Sequence, residues 1–168
     1  MMFELKPITR AGIPAALAKA ERYRLLNDPF AAESICLDLL EVEPANQDAL
    51  VMLLLARSDQ LAEAGGLGVA RAREVLPRLT DASRRSYYAG VIAERHGKAL
   101  LRSGRPGGGQ MAWAALREAM EWYEEAISQA TAGNEEARLR WNTCARILND
   151  HPNLAPRGPE EYQPALEE

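Results

Sequence analysis

Two proline-containing turns flank one helix-length segment near the start of the sequence, and they limit what the chain can fold into. Asp28 precedes Pro29, and the second turn consists of Pro44, Ala45 and Asn46. Proline suits the first position of a helix because its missing N–H would have no partner there, but it stops a helix that is already running. Asp28 and Asn46 can each cap the helix that follows. The segment between the turns is therefore predicted to be one helix that begins at about residue 29.

Apolar and small residues recur at intervals of three and four on both sides of these turns, which is typical of one helix face. Between the turns, the residues with this spacing are Ala32, Ile35, Cys36, Leu39 and Leu40. After the second turn they are Leu50, Leu53, Leu54 and Leu61, and before the first turn they are Ala16, Ala20, Tyr23 and Leu26. Because the connections are so short, the first sixty residues are predicted to form three antiparallel helices packed side by side.

Glycine and proline divide the rest of the chain. The stretch Gly65-Gly66-x-Gly68 is predicted to break the helical pattern, which resumes at Val69, and Pro77 is predicted to end or kink that helix. Thr80 or Asp81 is a candidate cap for the next helix. Two long helices and a shorter one are predicted over about residues 81–104, 111–130 and 134–149.

Composition favours an all-α fold. Of the 168 residues, 47% are hydrophobic, and many of these are alanine and leucine, which prefer helices to strands. We expect six or seven helices in one helical domain over 13–149. Residues 1–12 are expected to be a lead-in. Four prolines in 150–168 predict an extended or disordered tail with an acidic end.

Charge and cysteine content narrow the classes of function. A net charge of −4, with acidic and basic residues interspersed, gives no general attraction to nucleic acid or anionic lipid. Cys36 and Cys144 are far apart in helical apolar patterns, so they are predicted to be buried thiols rather than a zinc or redox pair. The longest apolar run, 49–56, is far shorter than the roughly 20 residues needed to cross a bilayer. We expect a cytoplasmic protein with no cofactor.

Residues of the first helical pair stand at intervals that match a known repeat. They are Ala16, Lys19-Ala20, Tyr23, Ala32, Cys36 and Pro44, and later segments repeat the pattern more loosely. The chain thereby resembles the tetratricopeptide repeat family over about residues 13–149. The resemblance implies an α-solenoid of three helical hairpins, whose first helices line a concave groove that binds an extended peptide or a partner helix. It implies no catalytic residues.

A candidate binding site follows from this resemblance. On the predicted helix after Asp81, four residues share one side, namely Arg84, Tyr88, Arg95 and Lys98. Arg138 and Asn142 form a similar one-turn pair on the last helix. Together these six residues are predicted to receive an acidic peptide, and the alternative is that they are ordinary solvated residues paired with neighbouring glutamates. Leu17 and Glu21 occupy the positions where some family members hold a chaperone's C-terminal carboxylate, which argues against that ligand.

Three alternatives remain open at this level. The chain loosely resembles small bacterial chaperones for secreted substrates in its length and acidity. It could instead be an enzyme or nucleotide-binding bundle that uses the glycine loop 107–109 and His96. The acidic end, Leu166-Glu167-Glu168, could occupy the protein's own groove. It could also occupy the groove of a second copy, and the protein would then be a homodimer.

Trp122 is the aromatic residue most expected to be exposed.

Overall fold

The computed structural model describes residues 3–156, apart from the side chains of 62–66, and this part of the chain is helical with no strand. Seven α-helices follow one another: α1 (Ile13–Leu25), α2 (Pro29–Val42), α3 (Gln47–Asp59), α4 (Leu61–Arg73), α5 (Ala82–Ser103), α6 (Gly108–Gln129) and α7 (Glu136–Asp150). The predicted all-α class is therefore confirmed. None of these helices combines the length and apolar character needed to cross a membrane.

The helix starts that were predicted from capping residues are confirmed. Asp28 Oδ1 accepts the Ala31 N–H at 3.0 Å, and Asn46 Oδ1 accepts the Ala49 N–H at 2.9 Å. The Asp81 carboxylate accepts the N–H of Arg84 at 2.7 Å, which starts α5. These bonds satisfy backbone donors that have no partner inside a helix.

The predicted break at Gly65-Gly66-x-Gly68 is wrong. Helix α4 runs through these residues, and the interruption comes earlier, at Gln60. Each helical glycine costs about 1 kcal/mol relative to alanine, but Leu61 and Ala72, near the two ends of α4, are buried in the core and hold the helix in place. The predicted effect of Pro77 also differs, because α4 has already ended at Arg73 and Pro77 lies in the 3₁₀ turn Leu76–Arg78.

Each helix packs against the next one along the chain, and α3 also contacts α1 and α5. This arrangement is consistent with stacked helical hairpins. The buried apolar side chains form two clusters. The first lies among α1 to α4 and includes Ile92 of α5, and the second lies among α5, α6 and α7. Leu55 and Tyr88 contact both clusters, so they join the two halves of the core.

Helices α5 and α6 pack most closely at two glycines of α5. A Cβ atom at Gly90 would lie 2.5 Å from the Tyr123 ring, and one at Gly97 would lie 2.8 Å from Cγ of Leu116. Both distances are far below a van der Waals contact, so a larger residue at either position would force Tyr123 or Leu116 to shift. The close approach brings the middle of α6 against the face of α5 that carries Glu94.

The thiols of Cys36 and Cys144 are expected to react slowly with a disulfide reagent in the folded protein. Both are buried, as predicted, and burial raises the pKa of each to about 12. The reactive thiolate is therefore scarce at neutral pH. Absorbance of the released reagent should show that two thiols react rapidly in denaturant and that almost none reacts without it. Rapid labelling of the native chain would contradict their burial.

The predicted tail is described only at its beginning. Pro152–Leu154 forms a 3₁₀ turn, and the Leu154 side chain is buried against Gly109 of α6. This first part is thus packed on the helical domain. The remainder, 157–168, lies outside the described residues, and so does its acidic end.

Candidate peptide-binding surface

Glu94 is the centre of a charged cluster on α5, although its side chain is only 2% exposed. The Tyr123 hydroxyl donates to its carboxylate at 2.6 Å, Arg140 Nη1 donates at 3.1 Å, and Lys98 also forms an ion pair with it. Burial alone would raise the pKa of Glu94, but the hydrogen bonds from Lys98 and Tyr123 and the charges of Lys98 and Arg140 hold it below its usual value. Glu94 is therefore an ionised anchor for two cations.

Arg140 joins this cluster to the aromatic residues of α5. Its Nε donates to the Tyr87 hydroxyl at 2.9 Å while Nη1 donates to Glu94, and its guanidinium lies 5.8 Å from the centre of the Tyr87 ring. Because Arg140 belongs to α7 and both of its partners belong to α5, these bonds fix the last helix against the middle one. The guanidinium is held in one orientation rather than free in solvent.

Arg95 is fixed in a similar way towards the first half of the chain. It pairs with Asp59 at 2.6 Å and donates to the Leu55 carbonyl of α3 at 3.1 Å. Arg24 of α1 donates to the other oxygen of Asp59, also at 2.6 Å. Burial is the main reason that the pKa of Arg95 is lowered, although the group stays charged at neutral pH. Charged contacts thus connect α1, α3 and α5.

The side chains of Glu94, Arg95 and Arg140 line a cavity of about 280 Å³ that we call the cation pocket. Among the residues whose side chains the structure describes, its charged lining consists of four cations and two carboxylates, namely Arg95, Lys98, Arg102, Arg140, Asp59 and Glu94. The excess of two positive charges in this described lining favours a local attraction for an anion in a protein whose net charge is −4. A carboxylate that enters the pocket would meet donors that are already positioned.

A second cavity, of about 290 Å³, is lined by Tyr87, whose hydroxyl accepts from Arg140 of the cation pocket. We call it the tyrosine pocket, and its lining includes Arg84, Tyr88 and Asn134. Tyr87 and Tyr88 contact edge to face, with ring centres 5.0 Å apart. Arg84 forms an ion pair with Asp48 at 3.6 Å. The pocket combines aromatic surface with a guanidinium, which suits a segment carrying both apolar and acidic side chains.

The structure separates the six predicted binding residues into three locations. Arg95 and Lys98 line the cation pocket, and Arg84 and Tyr88 line the tyrosine pocket. Arg138 and Asn142 belong to the described lining of neither. Arg138 is exposed and pairs with Glu135 at 3.2 Å, whereas Asn142 is half-buried.

Two cations of the pocket were missed in the sequence. Arg102 follows Lys98 by four residues and Arg95 by seven, so extending the same helical stripe by one turn would have found it. Arg140 gave no comparable signal, because its partners Glu94 and Tyr87 lie on another helix. The burial of Glu94 could not be predicted from the sequence either, although its spacing of four residues from Lys98 is compatible with an ion pair.

For the alternative site, the structure places His96 on α5 and the glycine loop at the start of α6. The charges of Arg73 and Glu118 act on His96, and burial lowers its pKa. In addition, Gly109 packs against Leu154. Within the described residues, no group of three or more His, Cys, Asp or Glu is arranged to hold a metal ion.

Comparison of the chain with known protein families, curated proteins and solved structures found no match. The resemblance to tetratricopeptide repeats therefore depends on the residues of this sequence alone.

Proposed function

We propose that this chain is a protein-interaction module with a tetratricopeptide-like solenoid fold, and that it binds an acidic segment of a partner along α5. The observation that supports this most directly is the cation pocket, in which Arg95, Lys98 and Arg140 are oriented by the protein's own carboxylates. Orienting these side chains before the ligand arrives reduces the entropy that binding must overcome.

The length of the binding surface indicates the size of the ligand. From Arg84 to Arg102 the axis of α5 extends about 27 Å, and this span includes the tyrosine pocket, Arg140 and the cation pocket. An extended peptide covers the same distance with about eight residues. We expect an apolar or aromatic side chain in the tyrosine pocket and a carboxylate in the cation pocket.

Replacing Arg102 by glutamate should weaken binding of an acidic peptide about fivefold, because it puts a like charge into the pocket. Arg102 is the best position to change, since it is exposed and forms no ion pair with a described side chain. The probe is a fluorescein-labelled eight-residue peptide that has one tyrosine and ends in two glutamates. Fluorescence anisotropy of the labelled peptide measures the dissociation constant.

The matched control is Arg117→Glu, which makes the same charge change at an exposed position of α6 that lines neither pocket. This variant should bind the peptide within about twofold of the wild type. An equal loss in both variants would show a general charge effect. Undetectable binding of every acidic peptide would refute the proposed function.

The chain's own acidic end is a second candidate ligand for this surface. Leu166, Glu167 and Glu168 offer an apolar side chain and carboxylates close together. If they compete for the surface, deleting residues 157–168 should raise the affinity for the probe while leaving Leu154 in place. Sedimentation of both chains would show whether the segment acts within one molecule or joins two.

A further inference from the structure

A groove on the other side of α5 has different chemistry. It has a volume of about 850 Å³, and it lies between α5 and α6 with Leu76 and Pro77 at one end. Its α5 residues include Ala89, five residues after Arg84. Because each residue of an α-helix turns 100° about the axis, Ala89 lies about 140° around α5 from Arg84. The groove is therefore separate from both pockets described above, and the inference from it is independent of the proposed function.

The floor of this groove is apolar and includes an exposed tryptophan. Trp122 is 40% exposed, which confirms the prediction from the sequence, and Ala89, Leu76 and Pro77 lie in the same groove. Its indole Nε1 donates to Glu118 at 3.4 Å. Tryptophan is the side chain that most often anchors an interface, because it buries a large area with few rotatable bonds.

The rim of the groove is acidic. Glu118, Glu121 and Glu125 follow one another along α6 at intervals of three and four. Arg73 pairs with Glu118, but neither Glu121 nor Glu125 forms an ion pair with a described side chain. Arg85, the one cation among the described residues that line the groove, donates to the Leu79 carbonyl at 2.9 Å. The rim thus keeps a negative charge beside an apolar floor.

We propose that this groove, here named the tryptophan groove, binds a basic amphipathic helix of another protein. A helix laid along α6 would bring cations at intervals of three and four opposite the carboxylates, since both helices share that spacing. Its apolar face would cover Trp122. The chain's own tail has the wrong sign for this rim, because residues 157–168 contain four glutamates and one arginine.

The dimensions of the groove agree with a short helix. From Glu118 to Gln129 the groove follows eleven residue steps of α6, which correspond to about 16 Å or three helical turns. Three turns place apolar anchors at i, i+3 or i+4, and i+7, which is the usual pattern of a helix in a groove.

The test uses a fluorescein-labelled helical peptide with leucines in that pattern and lysines on its flanks. It should bind the full chain, change the emission of Trp122, and bind about tenfold more weakly to Glu121→Lys/Glu125→Lys. Trp122→Ala should weaken binding by a similar factor. A peptide with glutamates in place of the lysines should bind at least tenfold more weakly to the wild type.

Glu21→Lys/Glu41→Lys is the matched control, because it changes the net charge equally at exposed positions of α1 and α2. Thermal melting verifies that every variant is folded. Equal weakening by both double variants, or equal binding of the two peptides, would overturn the proposal. Self-association of the wild type that is lost in Glu121→Lys/Glu125→Lys would also overturn it, because the occupant would then be a second copy.

Discussion

Replacing Glu94 by alanine is expected to lower the free energy of unfolding by about 3 kcal/mol. The substitution removes the carboxylate that accepts from Tyr123, Lys98 and Arg140 at once. The Tyr123 hydroxyl would remain in the core without a partner. The loss of stability is limited because the Lys98 and Arg140 side chains are about one-third exposed, so water can form hydrogen bonds with them in place of the carboxylate. Urea denaturation monitored by circular dichroism measures the change.

Glu94→Gln separates the contribution of charge from that of the hydrogen bonds. The amide still accepts from Tyr123, so we expect this variant to have a stability between those of the wild type and Glu94→Ala. If Glu94→Ala matched the wild type within about 0.5 kcal/mol, the side chain could not be a buried ionised anchor.

The stabilisation from Glu94 should depend on pH. Because the folded protein holds the pKa of Glu94 below the usual 4.5, the unfolded chain takes up the proton first as the pH falls. The contribution is therefore fully present above pH 4.5 and is lost as the pH falls through the folded-state pKa. Denaturation series at stepped pH should show the difference between wild type and Glu94→Gln shrinking in that range, and a constant difference would contradict the lowered pKa.

Replacing Gly90 by alanine is expected to destabilise the protein by about 2 kcal/mol, even though alanine favours helices. The added Cβ would lie 2.5 Å from the ring of Tyr123, whose side chain is fully buried. The ring cannot move aside easily because its hydroxyl is bonded to Glu94. The two helices would have to separate, which disturbs the cation pocket as well as the core.

Gln110→Ala is the control for Gly90→Ala, because it also introduces alanine into a long helix but at an exposed position. Its stability should stay within about 0.5 kcal/mol of the wild type. Thermal unfolding of the two variants side by side gives the comparison. A stabilised Gly90→Ala would mean that α5 and α6 are not in close contact at this point.

Local sequence signals predicted much of the fold. The caps at Asp28, Asn46 and Asp81 were correct because each depends on a side chain and an N–H three residues away. The break at Gly65 and Gly66 was wrong because a local preference of about 1 kcal/mol was outweighed by the packing of the ends of α4. Signals confined to a few residues were dependable, and those opposed by tertiary contacts were not.

The candidate site was less predictable from sequence. Helical period alone put Arg84, Tyr88, Arg95 and Lys98 on one stripe of α5, and two of these residues line the cation pocket and two the tyrosine pocket. The role of Arg140 depends on how α7 lies against α5, and no local pattern encodes that placement. Arg138, two residues away, pairs with Glu135 on its own side of α7.

Leu55 and Tyr88, which contact both apolar clusters, have a consequence for how the protein opens. If the two halves separate as units, both side chains must enter water, and the pair between Arg95 and Asp59 must break. A ligand held along α5 would raise the cost of that separation. Slower amide hydrogen exchange should then extend into α3, a helix that supplies only one edge of the cation pocket.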